Sequence, residues 1–354
     1  MGAAFLLCWS AEAAEVDLPQ GLSVAILALI AVLPEYAVDM YFAWTAGKDP
    51  SYTAYAAANM TGANRLLIGL GWASVLLAYS LRGYGRAIKL DRGVSPELVT
   101  LGASSVYACL LVWKSALSWV DFLLFSALFG AYAWRTASAE VHAPELEGPA
   151  RSLGLLPPRW RRAAVAGLFL YSAAAICLAA KPFAEGLLAT GKQMKIDEFL
   201  LVQWLAPIAS EAPEFIVAIL FALKGKGDVG MRVLLASKVN QWTLLVGMLP
   251  AAYGLSAGSL APLPLDPRQA GELLLTAAQS IFALAVLINL RFSLKEALVL
   301  TVLFVTQPFF TSLHARHVYS VVYLAGTVVC LWPRGAREAA RDAVRVALDF
   351  RSRS

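Results

Sequence analysis

The amino-acid sequence predicts an all-α polytopic membrane protein: two inverted five-helix repeats with broken Pro-Glu helices, plus one extra C-terminal span. Three observations predict it. The chain of 354 residues is 59% hydrophobic and only 15% charged, whereas soluble domains carry about 25% charged residues. Apolar stretches recur along nearly the whole length, each long enough to cross roughly 30 Å of hydrocarbon. A Pro-Glu pair followed by an amide-bearing helix occurs twice, once in each half.

The elements follow in order. Residues 3–14 form a short apolar piece. Ala11-Glu12-Ala13 resembles a cleavage site, but the basic start of a signal peptide is missing, so a short first helix or one tucked partway into the bundle is expected. The expected spans are 21–46, 53–80, 96–114, 118–136, 163–182, 197–223, 229–255, 270–290, 294–313 and 317–333. The first repeat occupies 1–136 and the second 163–313. Residues 137–162, rich in Glu, Pro and Arg, form a cytoplasmic loop between them. An extra span covers 314–333 and a basic tail covers 334–354. The tail places Arg337, Arg341 and Arg345 on one helical face, as in a helix lying on headgroups. The four cysteines lie in apolar runs with no CxxC pair and read as packing residues.

Orientation follows from the basic residues. If the first piece and the ten spans all cross, one set of connections and the tail holds 20 of the 29 Lys and Arg, and the other set holds 7. The excess marks the first set, and with it the C-terminus, as cytoplasmic. A positive charge of +5 distributed in this way reflects membrane orientation rather than a nucleic-acid face. Two basic residues, Arg65 and Lys238, fall inside spans.

The halves repeat. Leu33-Pro34-Glu35-Tyr36 is followed by Ala58-Asn59-Met60-Thr61-Gly62-Ala63-Asn64 and Leu66-Leu67-Ile68-Gly69. Ala212-Pro213-Glu214-Phe215 is followed by Lys238-Val239-Asn240 and Leu244-Leu245-Val246-Gly247. A unit of five helices is odd, so the second copy enters the membrane from the opposite side, as in many secondary transporters. Proline lacks an N–H, so Pro34 and Pro213 deprive the carbonyls of Ile30 and Ala209 of their helical partners. Broken helices are tolerated in a bilayer where they line a cavity or bind an ion. A carboxylate follows each proline directly, and carbonyl and carboxylate oxygens together suit hard cations such as Ca2+. The metal-binding candidates are therefore Glu35 and Glu214.

More polar groups surround these. Asp39 lies one turn from Glu35 and Glu211 nearly one turn from Glu214, each on the same helical face. Four intramembrane carboxylates are costly unless paired or functional. Asn59, Asn64, Asn240, Gln241, Thr243 and Ser210 offer further oxygens. For any one amide alone, packing between helices is the simpler role.

At these residues the sequence resembles the cation/calcium exchanger superfamily, which includes sodium/calcium and proton/calcium exchangers. That family carries two inverted repeats, each reading roughly G-T-S-x-P-E and then G-N-x-x-G-S-N-x-x-N/D. Pro34-Glu35 and Pro213-Glu214 match its Pro-Glu pairs, and Ala58 to Asn64 matches its second element. The resemblance spans about residues 15–313 and implies that the two glutamates bind the transported cation, with access alternating as two helices slide past the core. The chain departs from the pattern at Ala31-Val32 and Ser210-Glu211 (for Thr-Ser), at Ala63 and Val239 (for Ser), and at Leu67 and Thr243 (for the last Asn/Asp). In the family those positions hold sodium and water. Lys238 occupies the place of the second motif's Gly, and Arg65 follows Asn64. Each either pairs with a nearby acid or, in the case of Lys238, acts as an internal cation that neutralises a carboxylate when no ion is bound.

The expected function is secondary antiport of Ca2+ or another cation against Na+ or H+, with inorganic cations and the bilayer as partners and no cofactor. A monovalent Na+/H+ antiporter with Lys238 as counter-cation is the alternative within transport. A non-transporting scaffold is the alternative outside it, and four intramembrane acids speak against that. No His-Glu-x-x-His or Gly-x-Ser-x-Gly motif points to an enzyme.

Overall fold

The structure, a computed structural model, describes residues 2–14, 16–17, 32–137, 146 and 148–348. Helix α1 spans Gly2–Ala14 and α2 spans Leu33–Ala46. Helix α3 (Thr53–Leu66) passes through a π-helical segment, Leu67–Trp72, into α4 (Ala73–Leu81). Strand β1 (Ala87–Lys89), α5 (Ser95–Lys114), β2 (Ala116–Leu117) and α6 (Trp119–Ala137) complete the first half. A short α7 (Gly148–Gly154) leads to α8 (Pro158–Met194), α9 (Glu198–Leu223) and α10 (Gly227–Asn240). A second π-helical segment, Gln241–Leu245, joins α10 to α11 (Val246–Ala257). Strand β3 (Leu263–Pro264), α12 (Pro267–Leu287), β4 (Arg291–Ser293) and α13 (Leu294–Val305) follow. Helices α14 (Leu313–Leu331) and α15 (Arg334–Leu348) meet at 96°.

Local sequence explains the boundaries. Helix α12 starts on an Asp266–Gln269 capping box with Pro267 at its first position, and α13 starts on a Ser293–Glu296 box. Pro308 stands just past α13, which ends after 12 residues, about 18 Å long. It is therefore shorter than the expected span 294–313. Helix α8 is longer than expected, at 37 residues or about 55 Å, and runs through Pro182. Five described helical segments are long and apolar enough to cross a bilayer unaided: Pro50–Leu81, Arg92–Lys114, Pro158–Met194, Glu198–Leu223 and Pro267–Leu287.

The two halves correspond element by element. The π-helical segments begin three residues after Asn64 and one residue after Asn240, at or beside matched positions. Strand β1 precedes α5 as β3 precedes α12, while β2 and β4 follow those helices. The antiparallel pairs are β1 with β4 and β2 with β3. Exchanging the halves turns one pair into the other, which is what a two-fold relation between inverted copies requires. Helix packing obeys the same exchange, since α13 packs on α4 as α6 packs on α11, and α9 packs on α4 as α2 packs on α11.

Contacts between connections separate two ends of the molecule. At one end β1 pairs with β4, Asp91 with Arg232, Arg92 with Asp342, and Asp17 with Arg161 and Arg162. At the other end β2 pairs with β3, and Asp197 with Arg268. Each group draws only on one of the two sets of connections inferred from the sequence.

One departure concerns α9. A break at Pro213 was expected, but the helix is continuous from Glu198 to Leu223 with Pro207 and Pro213 inside it. Pro207 nevertheless leaves the Gln203 carbonyl without its N–H partner, and Gly62 of α3 packs directly on that carbonyl. A Cβ at Gly62 would lie 1.8 Å from the Gln203 oxygen. In the first half Pro34 lies in the first turn of α2, where a missing N–H costs little. Ile30, the residue whose carbonyl it was expected to free, lies outside the described residues.

Two outcomes follow. Gly62→Ala forces α3 and α9 apart and destabilises the protein by about 3 kcal/mol, read as a fall in detergent melting temperature, whereas Gly130→Ala, with open space at its Cβ, leaves it unchanged. Asp17, at the end of α1, accepts from Arg161 at 2.7 and 2.8 Å and from Arg162 at 3.1 Å. The Arg161 hydrogen bonds hold its carboxyl down to about 2. Because the folded value is depressed, the contribution is fully present above about pH 4 and is lost as pH falls through the folded value. Asp17→Asn should therefore lower Tm by about 2 °C, equally at pH 5 and pH 8.

Candidate functional site

The site lies where α2, α3, α9 and α10 meet. Glu35, in the first turn of α2, is 1% exposed, and Glu211 and Glu214, on adjoining turns of α9, are 1% and 6% exposed. The Glu211 carboxyl interacts with both Glu35 and Glu214, whereas Glu214 acts on Glu35 through charge alone. The three therefore form a row with Glu211 at its centre. Glu35 and Glu214 come close, but a third acid stands between them.

The row is unevenly satisfied. Ser237 of α10 donates to Glu214 Oε2 at 2.7 Å, and the Gln241 amide donates to Glu211 Oε1. Among the described residues neither oxygen of Glu35 has a donor, and neither has Glu211 Oε2 or the amide oxygen of Gln241. Asp39, one turn along α2, is fully buried; its Oδ1 accepts from Asn59 at 2.9 Å, while Asp39 Oδ2 and Asn59 Oδ1 have no donor. Next to Glu35, the Tyr36 hydroxyl donates to Asn240 Oδ1 at 2.7 Å and ties α2 to α10. Carboxylates in contact repel unless a proton or a cation lies between them. Uncompensated burial of even one such charge is prohibitive.

Lys238 is buried beside the row, where the charges of Glu35 and Glu211 act on it. Its ammonium does not rest on a carboxylate. It donates to the backbone oxygen and to Oδ1 of Asn64, both at 3.1 Å, and lies 5.3 Å over the Trp242 ring. The Asn64 amide donates back to Met60 O.

Three sequence candidates do not join the row. The half-buried Ser210 hydroxyl donates to Ala206 O and Pro207 O of its own helix. Thr243, though buried, bonds to Val239 O within its own helix. Arg65 turns away and pairs with Glu272 of α12 at 2.7 Å. It therefore does not compensate the row. A hydroxyl one turn after a freed or helical carbonyl satisfies itself locally, and a motif comparison cannot register that.

Sequence reasoning also missed residues. Ser237, matched to Thr61 in the first half, caps Glu214; the register of the repeat contained that signal. Glu272 was visible as an acid at the start of an apolar span, but its pairing with Arg65 joins residues far apart in the chain. The π-helical segments carry no local sequence mark, although such segments are frequent at functional sites.

The acceptors fit a hard cation as substrate. Carboxylate and amide oxygens without donors are the ligand types Ca2+ takes. Among the described residues no three His, Cys, Asp or Glu side chains converge as a closed metal cage. The carboxylates stand side by side, and closure around one ion requires neutral oxygens such as those of Gln241 and Asn59.

Comparison with known proteins identifies the family. A family model described as sodium/calcium exchanger protein matches residues 1–137 and 164–313. A crystal structure of the H+/Ca2+ exchanger CAX is 44% identical, covers 98% of this chain and 87% of its own, and superposes with a TM-score of 0.94. The sodium–calcium exchanger NCX_Mj, in crystals soaked with 2.5 mM Na+ and 0.1 mM Ca2+, is 14% identical, covers 87% of this chain and 93% of its own, with a TM-score of 0.58. At that identity it shows the fold alone. A search of curated proteins returned no match. On the extent of the family match and the 44% identity over nearly its whole length, this chain belongs to the sodium/calcium exchanger family, a family of membrane exchangers rather than enzymes.

Proposed function

We propose that the protein is a secondary antiporter that moves Ca2+ across the membrane in exchange for protons, with Glu35, Glu211 and Glu214 as the shared site. The observation that carries this reading is the row of three buried carboxyls centred on Glu211, with no donor to either Glu35 oxygen among the described residues. Such a row has two neutral fillings. Three protons can fill it, or one proton and a divalent cation together. Exchange between those fillings avoids the cost of an empty, fully ionised row. Asp39 and Asn59 extend the oxygen path one turn along α2, and Ser237, Gln241, Asn240 and Asn64 hold its walls. The related H+/Ca2+ exchanger, 44% identical, supports the choice of ions.

Sodium is the less favoured coupling ion because Ala31, Val32, Ala63, Val239 and Leu67 stand where the resembling family has hydroxyls and amides. One observation favours a second reading, monovalent Na+/H+ exchange. Lys238 is already a buried cation whose charge acts on Glu35 and Glu211, which reduces the negative charge left for a divalent ion.

Purified protein in liposomes separates these readings. A proton gradient should drive Ca2+ uptake, and Glu35→Gln and Glu214→Gln should each reduce it by about 30-fold or more, the equivalent of about 2 kcal/mol. Ser210→Ala should leave uptake within about twofold of the parent, since that hydroxyl is bonded to its own helix. Proton-driven Na+ flux without Ca2+ flux would replace the first reading by the second. No ion flux of either kind would remove both.

A further inference from the structure

A second group of buried charges links the row to the span outside the repeat. Arg65, at the end of α3, pairs with Glu272 Oε2 at 2.7 Å and donates to Gln307 Oε1 at 3.0 Å. Glu272 is held from its other side by Arg316 of α14, which also donates to Thr311 O. Gln307 donates in turn to the Tyr323 hydroxyl of α14 at 3.0 Å. All five side chains are at most 6% exposed. Two guanidiniums flank a single carboxylate, and α14 has no counterpart in either repeat.

The Asn64–Arg65 turn lies between this group and the row. Lys238 of α10 binds the Asn64 carbonyl and amide oxygens from one side. Gln279 of α12 binds the Arg65 carbonyl at 3.2 Å, and Glu272 binds the Arg65 guanidinium. Lys238 donates to the oxygens of Asn64, and the carboxyls of Glu35 on α2 and Glu211 on α9 attract it without forming an ion pair with it. Where it rests depends on where the Asn64 oxygens are held.

We infer that Arg316 is a positioning residue for ion binding: through Glu272 and Arg65 it fixes the Asn64 oxygens that keep Lys238 off the carboxylate row. When the turn is released, Lys238 shifts toward Glu35 and Glu211 and competes with the transported cation as a tethered positive charge. The extra span thereby sets the affinity of a site it does not touch. The inference rests on the row being the ion site.

The test measures the Ca2+ concentration for half-maximal uptake and the maximal rate in proteoliposomes. The variants are the parent, Arg316→Gln, Lys238→Met and the double variant. Arg316→Gln leaves Glu272 paired with Arg65, so the remaining buried charges balance. It should raise the half-saturating Ca2+ about tenfold while the maximal rate stays within about twofold. In the Lys238→Met background the same change should have an effect below about twofold, because no competing cation remains. Gln279→Leu, which alters no charge, should raise half-saturation in the same direction and by less. A lowered maximal rate with unchanged half-saturation in Arg316→Gln overturns the inference, as does a shift of equal size with and without Lys238. If Arg316→Gln does not yield folded protein, unchanged half-saturation in Gln279→Leu overturns it. Absence of flux in the parent would instead remove the ion-site reading itself.

Discussion

Everything in this molecule is arranged around the cost of burying carboxylates. Glu35, Asp39, Glu211 and Glu214 are enclosed where α2, α3, α9 and α10 cross, and Lys238 is the basic side chain facing them. One ammonium cannot balance four carboxylates in a region of low dielectric. The protein supplies some donors, through Ser237, Gln241 and Asn59. It withholds them from Glu35. Protons or a cation can neutralise such a row, and the proposed antiport is the exchange of one for the other.

Enclosing the row requires backbones to approach closely. Gly62 rests on the Gln203 carbonyl that Pro207 has freed, so a proline inside one helix creates a contact between two of them. The paired π-helical segments directly follow the helical turns that bear Asn64 and Asn240. The exchange of β1–β4 for β3–β2 shows that both ends of the bundle obey the same two-fold relation. The repeat is thus expressed in register and packing as well as in sequence.

Much of this was legible in the residues. Composition and span length give the class, and Pro34-Glu35, Pro213-Glu214, Asn64 and Asn240 give the repeat and the centre of the site. The partition of basic residues anticipates which connections meet, as in Asp17 with Arg161 and β1 with β4. What was not legible has physical causes. The placement of Glu211 between the two glutamates depends on how α9 turns against α2, which spacing along one helix cannot fix. Ser210 was counted as a ligand because its hydroxyl matches a motif position, but a hydroxyl in a helix first competes for its own preceding carbonyls. Pro213 does not interrupt α9, since neighbouring helices hold it on both sides of the proline. Arg65 finds its acid 207 positions away, at Glu272, a pairing no local pattern encodes.

The two buried charge groups make the functional argument together. Both lie in the same bundle, were built by the same chain and face the same desolvation cost. In one of them, Glu272 is met by two arginines, and the remaining polar atoms are passed on to Gln307, Tyr323 and Thr311. The chain can therefore place a cation on each oxygen of a buried carboxylate when nothing else is to bind there. At Glu35 it does not, although a lysine lies close by and is held instead on the oxygens of Asn64. A lysine kept at a distance from acids it could neutralise leaves their oxygens to a ligand from solution. That difference between two groups in one interior, more than the presence of acids as such, separates the proposed transport site from a structural ion pair.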